Sequence, residues 1–180
     1  MRPIKDEKLM LDSFVSLLTD HFDNSAQHAA NPAMPLCRHI NTVLNGKIQD
    51  LPTDFDGVFV LEESYYPNPA PHLFLFTQKG DTVVLTSYEM PEGFTKETFT
   101  YDKVGTVDYS TLTPSAKFTP AVYTQKDGAW EGGSVSMFSP VLKFTLKERF
   151  TPDVLEVTES MEVNGKETFG FPEPILYKRS

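Results

Sequence analysis

The sequence contains one cysteine in 180 residues, Cys37. A single thiol excludes an internal disulfide and a cysteine-built zinc site. The four histidines, His21, His28, His39 and His72, include no His-x-x-x-His pair, so the ligand spacing of a helical metal site is absent. Cations are scarce: 16 Lys and Arg stand against 25 Asp and Glu, a formal charge of −9. An acidic, unclustered surface argues against nucleic acid and against anionic membranes as partners. No apolar run reaches the length of a membrane span. The opening residues Met1–Lys8 lack the apolar core of a signal peptide. The compartment these absences imply is the cytoplasm, or a plastid stroma for a chain whose targeting segment has been removed. There is no Gly-x-Ser-x-Gly elbow and no phosphate-binding glycine loop.

What is present divides into two textures within one domain, residues 1–180. Residues 1–31 read as a helical segment. Met10, Phe14, Leu17, Leu18 and Phe22 recur at three- and four-residue steps, which predicts an amphipathic helix over Asp6–Phe22 with Asp6 at its N-cap. Asn24 and Gln27 have the spacing of a capping pair for a short second helix that ends at Asn31-Pro32. Burial of Phe14, Leu17 and Leu18 would set the first helix over a face or mouth of the β-structure.

Residues 36–180 are rich in Val, Thr, Phe and Tyr and punctuated by Gly, Pro and Asp. Strands are predicted at 38–44, 55–66, 72–78, 82–89, 97–101, 117–125, 132–138, 141–150, 154–163, 166–169 and 175–178. Tight turns separate several of them: Lys79-Gly80-Asp81, Lys126-Asp127-Gly128, and the Asn164-Gly165 pair, a strong hairpin signal. In the strand before that pair, Leu155, Val157, Glu159, Met161 and Val163 share one mostly apolar face, and the other face is wholly polar. Trp130-Glu131-Gly132-Gly133 reads as a rim turn entering a strand, its glycines serving a bulge or close packing. About ten short strands with tight connections predict a mainly β fold: an antiparallel β-barrel, closed because closure removes both edges.

The stretch Val58–Tyr66 carries the site argument. Alternation puts Val58, Val60, Glu62, Ser64 and Tyr66 on one face and Phe59, Leu61, Glu63 and Tyr65 on the other. Both faces begin apolar and end with a carboxylate and a hydroxyl. Whichever face points inward sets a glutamate against apolar surface, where desolvation raises its pKa. The candidate ligand-binding residues are therefore Glu62, Glu63, Tyr65, His72 and Tyr88. No catalytic residue and no metal ligand is assigned.

Several of these residues also resemble a known family. Phe22-Asp23-Asn24-Ser25-Ala26-Gln27 with Asn31-Pro32, Glu62-Glu63-Ser64-Tyr65, Pro71, Ser87-Tyr88 and Gly170-Phe171-Pro172…Tyr177-Lys178 resemble, in order, the short motifs of the T-type phycobiliprotein chromophore lyases, the CpcT/CpeT family. The resemblance implies a calycin- or lipocalin-like antiparallel barrel with an N-terminal helical segment. It implies an open-chain tetrapyrrole (a bilin of the phycocyanobilin or phycoerythrobilin type) as ligand, and a phycobiliprotein subunit as a partner that receives the bilin on a cysteine. A homodimer is left open. The chain departs from the family pattern where an arginine follows the proline: His72-Leu73 stand there, so His72 takes the place of the cation expected for a propionate. No further cofactor is called for. Alternatives from other classes are a non-catalytic barrel for another small apolar or amphipathic ligand, and an interaction module whose barrel is filled solid.

Overall fold

The computed structural model describes residues 4–66 and 68–180; Met1–Pro3, the start of the stretch read for a signal peptide, lie outside them. The helical period takes shape as α1 (Ile4–Leu18). Asp6 therefore lies inside the helix rather than at its N-cap. Leu11, Phe14, Val15 and Leu18 are buried, as the i, i+3, i+4, i+7 spacing of one helix face requires. The helix stops four residues earlier than the period suggests, because residues 20–23 form a strand, β1 (Asp20–Asp23). A strand there makes ladders on both sides, whereas a further helical turn would leave its neighbours' edges unpaired.

After the short helix α2 (Ser25–Ala30) come β2 (Arg38–Val43), β3 (Ile48–Gln49), β4 (Val58–Tyr66), β5 (Asn68–Lys79), β6 (Thr82–Tyr88), β7 (Val107–Asp108), β8 (Ala121–Lys126), β9 (Ala129–Met137), β10 (Leu142–Phe150), β11 (Leu155–Val163), β12 (Lys166–Gly170) and β13 (Ile175–Arg179). Ten of these strands close a ring in the order β1-β2-β4-β5-β6-β8-β9-β10-β11-β13, every neighbour antiparallel, with β13 returning to β1. The order follows the chain, so the barrel is a closed meander, and β12 is a flap on β11. Asn164 and Gly165 both adopt positive φ, 52° and 77°, as do Asp127 (51°) and Gly128 (77°). That is the backbone of the turn that joins twisted strands in two residues.

Asn24 and Gln27 hold structure, but not as a helix cap. Asn24 is 1% exposed and caps no backbone N–H of α2; its Nδ2 reaches the Gln27 Oε1 at 3.4 Å. Its Oδ1 accepts from the Cys37 N–H at 2.7 Å and its Nδ2 donates to the Pro35 carbonyl at 2.8 Å. Gln27 accepts from the Leu176 N–H at 3.0 Å and donates to the Pro174 carbonyl at 2.8 Å. The pair ties α2 to the approaches of β2 and β13.

The expected strand at 97–101 is absent. That stretch is a series of turns, with the Phe99 N–H on the Thr95 carbonyl at 2.9 Å, and it packs on the outside of the sheet. There Phe99, Val104 and Val107 join Leu44, Ile48, Phe59, Leu61 and Leu73 in a fully buried cluster. The parallel pair β3–β7 fastens this layer. The Thr and Phe content of 97–101 mimics a strand, but an apolar outer face on β4 and β5 needed a cover, and burial outweighs a weak β preference. Inside the barrel, α1 seals one end. The Phe14 ring stands 5.6 Å from Phe76, 5.2 Å from Tyr123, 5.0 Å from Trp130 and 6.1 Å from Phe150. Leu17, expected among the covering residues, is only half-buried. No described helix is long and apolar enough to cross a membrane.

Candidate functional site

Beyond the Phe14 plug the barrel is hollow. A cavity of about 460 Å³ runs along its interior, within the ~300–1,000 Å³ typical of small-molecule sites. Phe74, Phe76, Leu85, Phe144, Leu146 and Val157 form much of its wall. Tyr66, Phe118, Phe138, Phe169 and Phe171 gather at the end away from α1. Tyr66 and Phe169 are exposed there. A barrel filled solid, one of the alternatives, does not describe this interior.

Strand alternation and register decide which candidate residues reach the cavity. Val60, Glu62, Ser64 and Tyr66 of β4 line it. Phe59 and Leu61 face the outer cluster. Glu63 and Tyr65 go with them, away from the cavity. Glu63 accepts a hydrogen bond from the Tyr101 N–H at 3.4 Å, and the Tyr65 ring carries the Arg38 guanidinium at 4.4 Å. His72 sits directly opposite Glu62 in the β4–β5 register and lines the cavity, its ring stacked on Phe74. Tyr88 pairs with Leu73 and stands edge-on to Phe59, 5.1 Å away, in the outer cluster; it touches the cavity only at its margin. Of the five candidates, the fold brings Glu62 and His72 together inside and leaves Glu63, Tyr65 and most of Tyr88 outside.

Glu62 has company that sequence reasoning did not assign to a site. Glu148 of β10 and Glu159 of β11 line the same cavity. Glu148 accepts a hydrogen bond from the Tyr123 hydroxyl. Burial, then the charges of Glu148 and Glu159, push the Glu62 carboxyl up to about 8. Burial raises Glu148 to about 7, against the opposing effect of the Tyr123 hydrogen bond, and burial raises Glu159. Glu159 is exposed where Glu62 and Glu148 are half-buried, so it is the least desolvated of the three. Tyr123 is held well above the usual phenol range, by burial first and the Glu148 charge second. Gly132 makes this contact feasible: a Cβ there would lie 2.5 Å from the Tyr123 ring, so the close-packing role expected of the Gly132-Gly133 pair is the one it fills.

The signals for Glu148 and Glu159 were in the sequence. Phe144, Leu146, Glu148 and Phe150 share one face of β10, as Leu155, Val157, Glu159 and Met161 share one face of β11. In both, a carboxylate interrupts an apolar row. Their meeting with Glu62 was not in the sequence, since it depends on barrel closure.

The remaining polar groups of the interior offer little positive charge. No Lys or Arg lines the cavity among the described residues. His72 keeps an exposed side, but the protein packed around it, then the Lys96 charge, lowers its pKa, so His72 is a weaker substitute for the missing arginine than an ordinary histidine. Burial takes His39 down to about 4. The Cys37 thiol is buried, and burial raises it to about 11, so it is neither a nucleophile nor a covalent anchor at neutral pH.

No protein-family model matches the chain, and no curated protein matches it. Among solved structures, the selenomethionine form of the CRL protein of Arabidopsis matches with a TM-score of 0.73 at 13% sequence identity, over 97% of this chain and 99% of that one. At that identity the likeness is one of fold. The protein is thus a closed, calycin-like ten-stranded antiparallel barrel with an N-terminal helix, an architecture it shares with the CRL protein.

Proposed function

We propose that this protein binds one small, mainly apolar molecule inside its barrel, with the polar part of the ligand held by the carboxylates around Glu62. The observation that carries this reading is the cavity of about 460 Å³, plugged by α1 at one end and fringed by aromatic rings at the other. Water in such a space gains little, and a ligand that covers its apolar walls gains about 25 cal/mol per Å² of apolar surface removed from water.

An open-chain tetrapyrrole is the specific ligand we put forward, following the resemblance to the T-type chromophore lyases. Its pyrrole N–H groups would face Glu62, and by donating to the carboxylate they would favour its charged form, which holds such donors more strongly than the neutral one. Its propionates find no arginine or lysine within, so they would lie at the aromatic end. There the Lys117 ammonium sits over the Phe138 ring at 4.2 Å. The holding step is what the cavity supports. Delivery of the bilin to a cysteine of a phycobiliprotein subunit is the further activity the resemblance implies.

Titrating the protein with biliverdin, haem and an uncharged apolar fluorophore, read by absorbance and fluorescence, tests both levels. Saturable one-to-one binding of any of them supports the ligand-binding reading, and preference for biliverdin supports the tetrapyrrole. No saturable change with any of the three would overturn the function.

A further inference from the structure

The polar groups inside the barrel are unbalanced in a way that specifies the ligand's charge. Four glutamates line the cavity: Glu62, Glu148 and Glu159 arrive from three strands, and Glu173, which accepts from the Asn31 Nδ2 at 3.1 Å, precedes β13. Asn41, directly opposite Glu62 in the β2–β4 register, also lines the cavity and is 8% exposed. Its Nδ2 donates to the Leu18 carbonyl at 2.8 Å, and its Oδ1 accepts from nothing. A buried acceptor left without a donor costs roughly 1–3 kcal/mol. His39, 6% exposed, has no hydrogen-bond partner among the described residues and faces the same space. The hydroxyls of Ser64, Ser87, Thr119, Ser134 and Thr158 can donate, but they carry no positive charge, and no Lys or Arg lines the cavity among the described residues. Tyr123 is engaged with Glu148, and Tyr177 lies against the Cys37 thiol.

We infer that the inner end of the ligand is a nitrogen cation rich in N–H donors, an ammonium or amidinium on an apolar body, seated among Glu62, Glu148, Glu159 and Asn41. This rests on the binding role proposed above and narrows it. The complementary prediction is rejection: a ligand that carries its charge inward as a carboxylate meets a cluster of carboxyl groups and no lysine or arginine, and burying an unpaired charge is costly. Among the described residues these carboxylates are not drawn together as metal ligands, so the cation is an organic one that spans the space between them with several N–H donors. A tetrapyrrole remains compatible only with its nitrogens inward.

The groups facing the cluster set the pH behaviour. Two ionisable side chains flank it: Glu173 in the lining, and Lys96, whose charge reaches His72. Those that face it directly are Tyr123 from β8, Tyr177 from β13, His39 from β2, His72 from β5 and the Cys37 thiol. All are neutral at pH 7, since the phenols and the thiol are pushed up and both imidazoles are pushed down. The carboxyls are the groups that titrate near neutrality, and a bound cation favours their charged form. Binding of an amine therefore releases protons, and its affinity falls as acid neutralises the cluster.

A matched series tests the charge rule. Dodecylamine, dodecanol and dodecanoic acid are compared as displacers of N-phenylnaphthylamine, an uncharged fluorophore, at pH 8 and pH 6. At pH 8 the amine should displace at a concentration lower than the alcohol by about tenfold or more, an ordinary margin for a charge-assisted bond in a dry site, and the acid should be the weakest. The amine's advantage should shrink at pH 6. Glu62→Gln, and separately Glu148→Gln, should bring the amine-to-alcohol ratio towards one. Calorimetry of dodecylamine binding in two buffers of different ionisation enthalpy should show net proton release. Equal displacement by amine and alcohol, or a stronger acid, would overturn the inference while leaving the binding role intact. Displacement by calcium chloride as readily as by the amine would overturn the organic cation. A fluorophore that does not bind at all removes the binding role and the inference together.

Discussion

The two faces of β4 are built from one stretch of nine residues and end in opposite states. On the outer face, Phe59 and Leu61 are fully buried against Leu44, Leu73, Phe99 and Val107, with Phe55 stacked on Phe59 at 5.5 Å. On the inner face, Val60 is packed beside the α1 plug, and then Glu62, Ser64 and Tyr66 open onto the cavity. The outer face is solid because a loop lies on it; the inner face is hollow because the far wall of the barrel is too distant for side chains to meet. The two glutamates at the turning point show the consequence. Glu63 accepts from the Tyr101 N–H at the edge of a packed layer. Glu62 is desolvated and surrounded by like charge. Packing on one side of a sheet makes stability, and lack of it on the other makes room for chemistry.

Phenylalanine truncation should separate the faces most strongly. Phe59→Ala should cost about 3–5 kcal/mol, the usual range for a buried aromatic. Phe74→Ala, on the cavity wall, should cost less than about half of that, because Phe74 already faces empty space and has fewer contacts to lose. Urea denaturation of both variants measures the gap. Equal losses would mean the inner face is as tightly packed as the outer one.

The second test uses pH. In the unfolded chain Glu62 titrates near ~4.3, and in the folded protein at about 8. Between those values the folded state holds more protons than the unfolded one. Stability therefore falls as pH rises through that window, and only below it is the penalty absent. Glu148, raised to about 7, adds to the same slope. His39 and His72, whose pKa values are lowered, oppose this slope below their unfolded value near ~6.5, so calorimetric melting from about pH 6.5 to pH 8 should show a falling midpoint in the ligand-free protein. Glu62→Gln should raise the midpoint at the alkaline end and flatten the slope. Glu63→Gln should leave the slope as it was. Identical curves for both variants would erase the distinction between the faces.

The smallest effect belongs to the outer layer's tether. The Lys47 ammonium lies 3.9 Å over the Tyr101 ring and donates to the Tyr101 carbonyl, next to the N–H that Glu63 holds. Lys47→Met should cost about 0.5–1.5 kcal/mol and speed amide exchange around Tyr101, with ligand affinity unchanged. A change in affinity without a change in exchange would show that the outer layer acts on the cavity rather than on its own anchorage.

The Asn164-Gly165 and Asp127-Gly128 turns, the helix face through Phe14 and Leu18, and the alternation in β4, β10 and β11 are local properties, set by steric limits on φ and by side-chain period. They were readable one segment at a time, and they suffice for a mainly β fold sealed by a helix. Two segments misled for the same reason. Residues 20–23 continue a helical period and 97–101 a strand-like composition, yet each took the conformation that its neighbours in space required. The candidate site divides in the same way. That a carboxylate of β4 would meet apolar surface followed from the sequence. Which of Glu62 and Glu63 it would be did not, because alternation fixes only that they point apart, and the direction of curl decides which face is inside.

By itself, then, the sequence determined most of the barrel strands, their turns, the plugging helix and the presence of carboxylates on apolar faces, all of which depend on interactions within a few residues. The tertiary structure alone decided that Glu62, Glu148 and Glu159 face one another across a common space. Glu148 and Glu159 share the β10–β11 hairpin, but Glu62 lies far from them in sequence, and only closure of β13 onto both β11 and β1 brings its row onto the same wall.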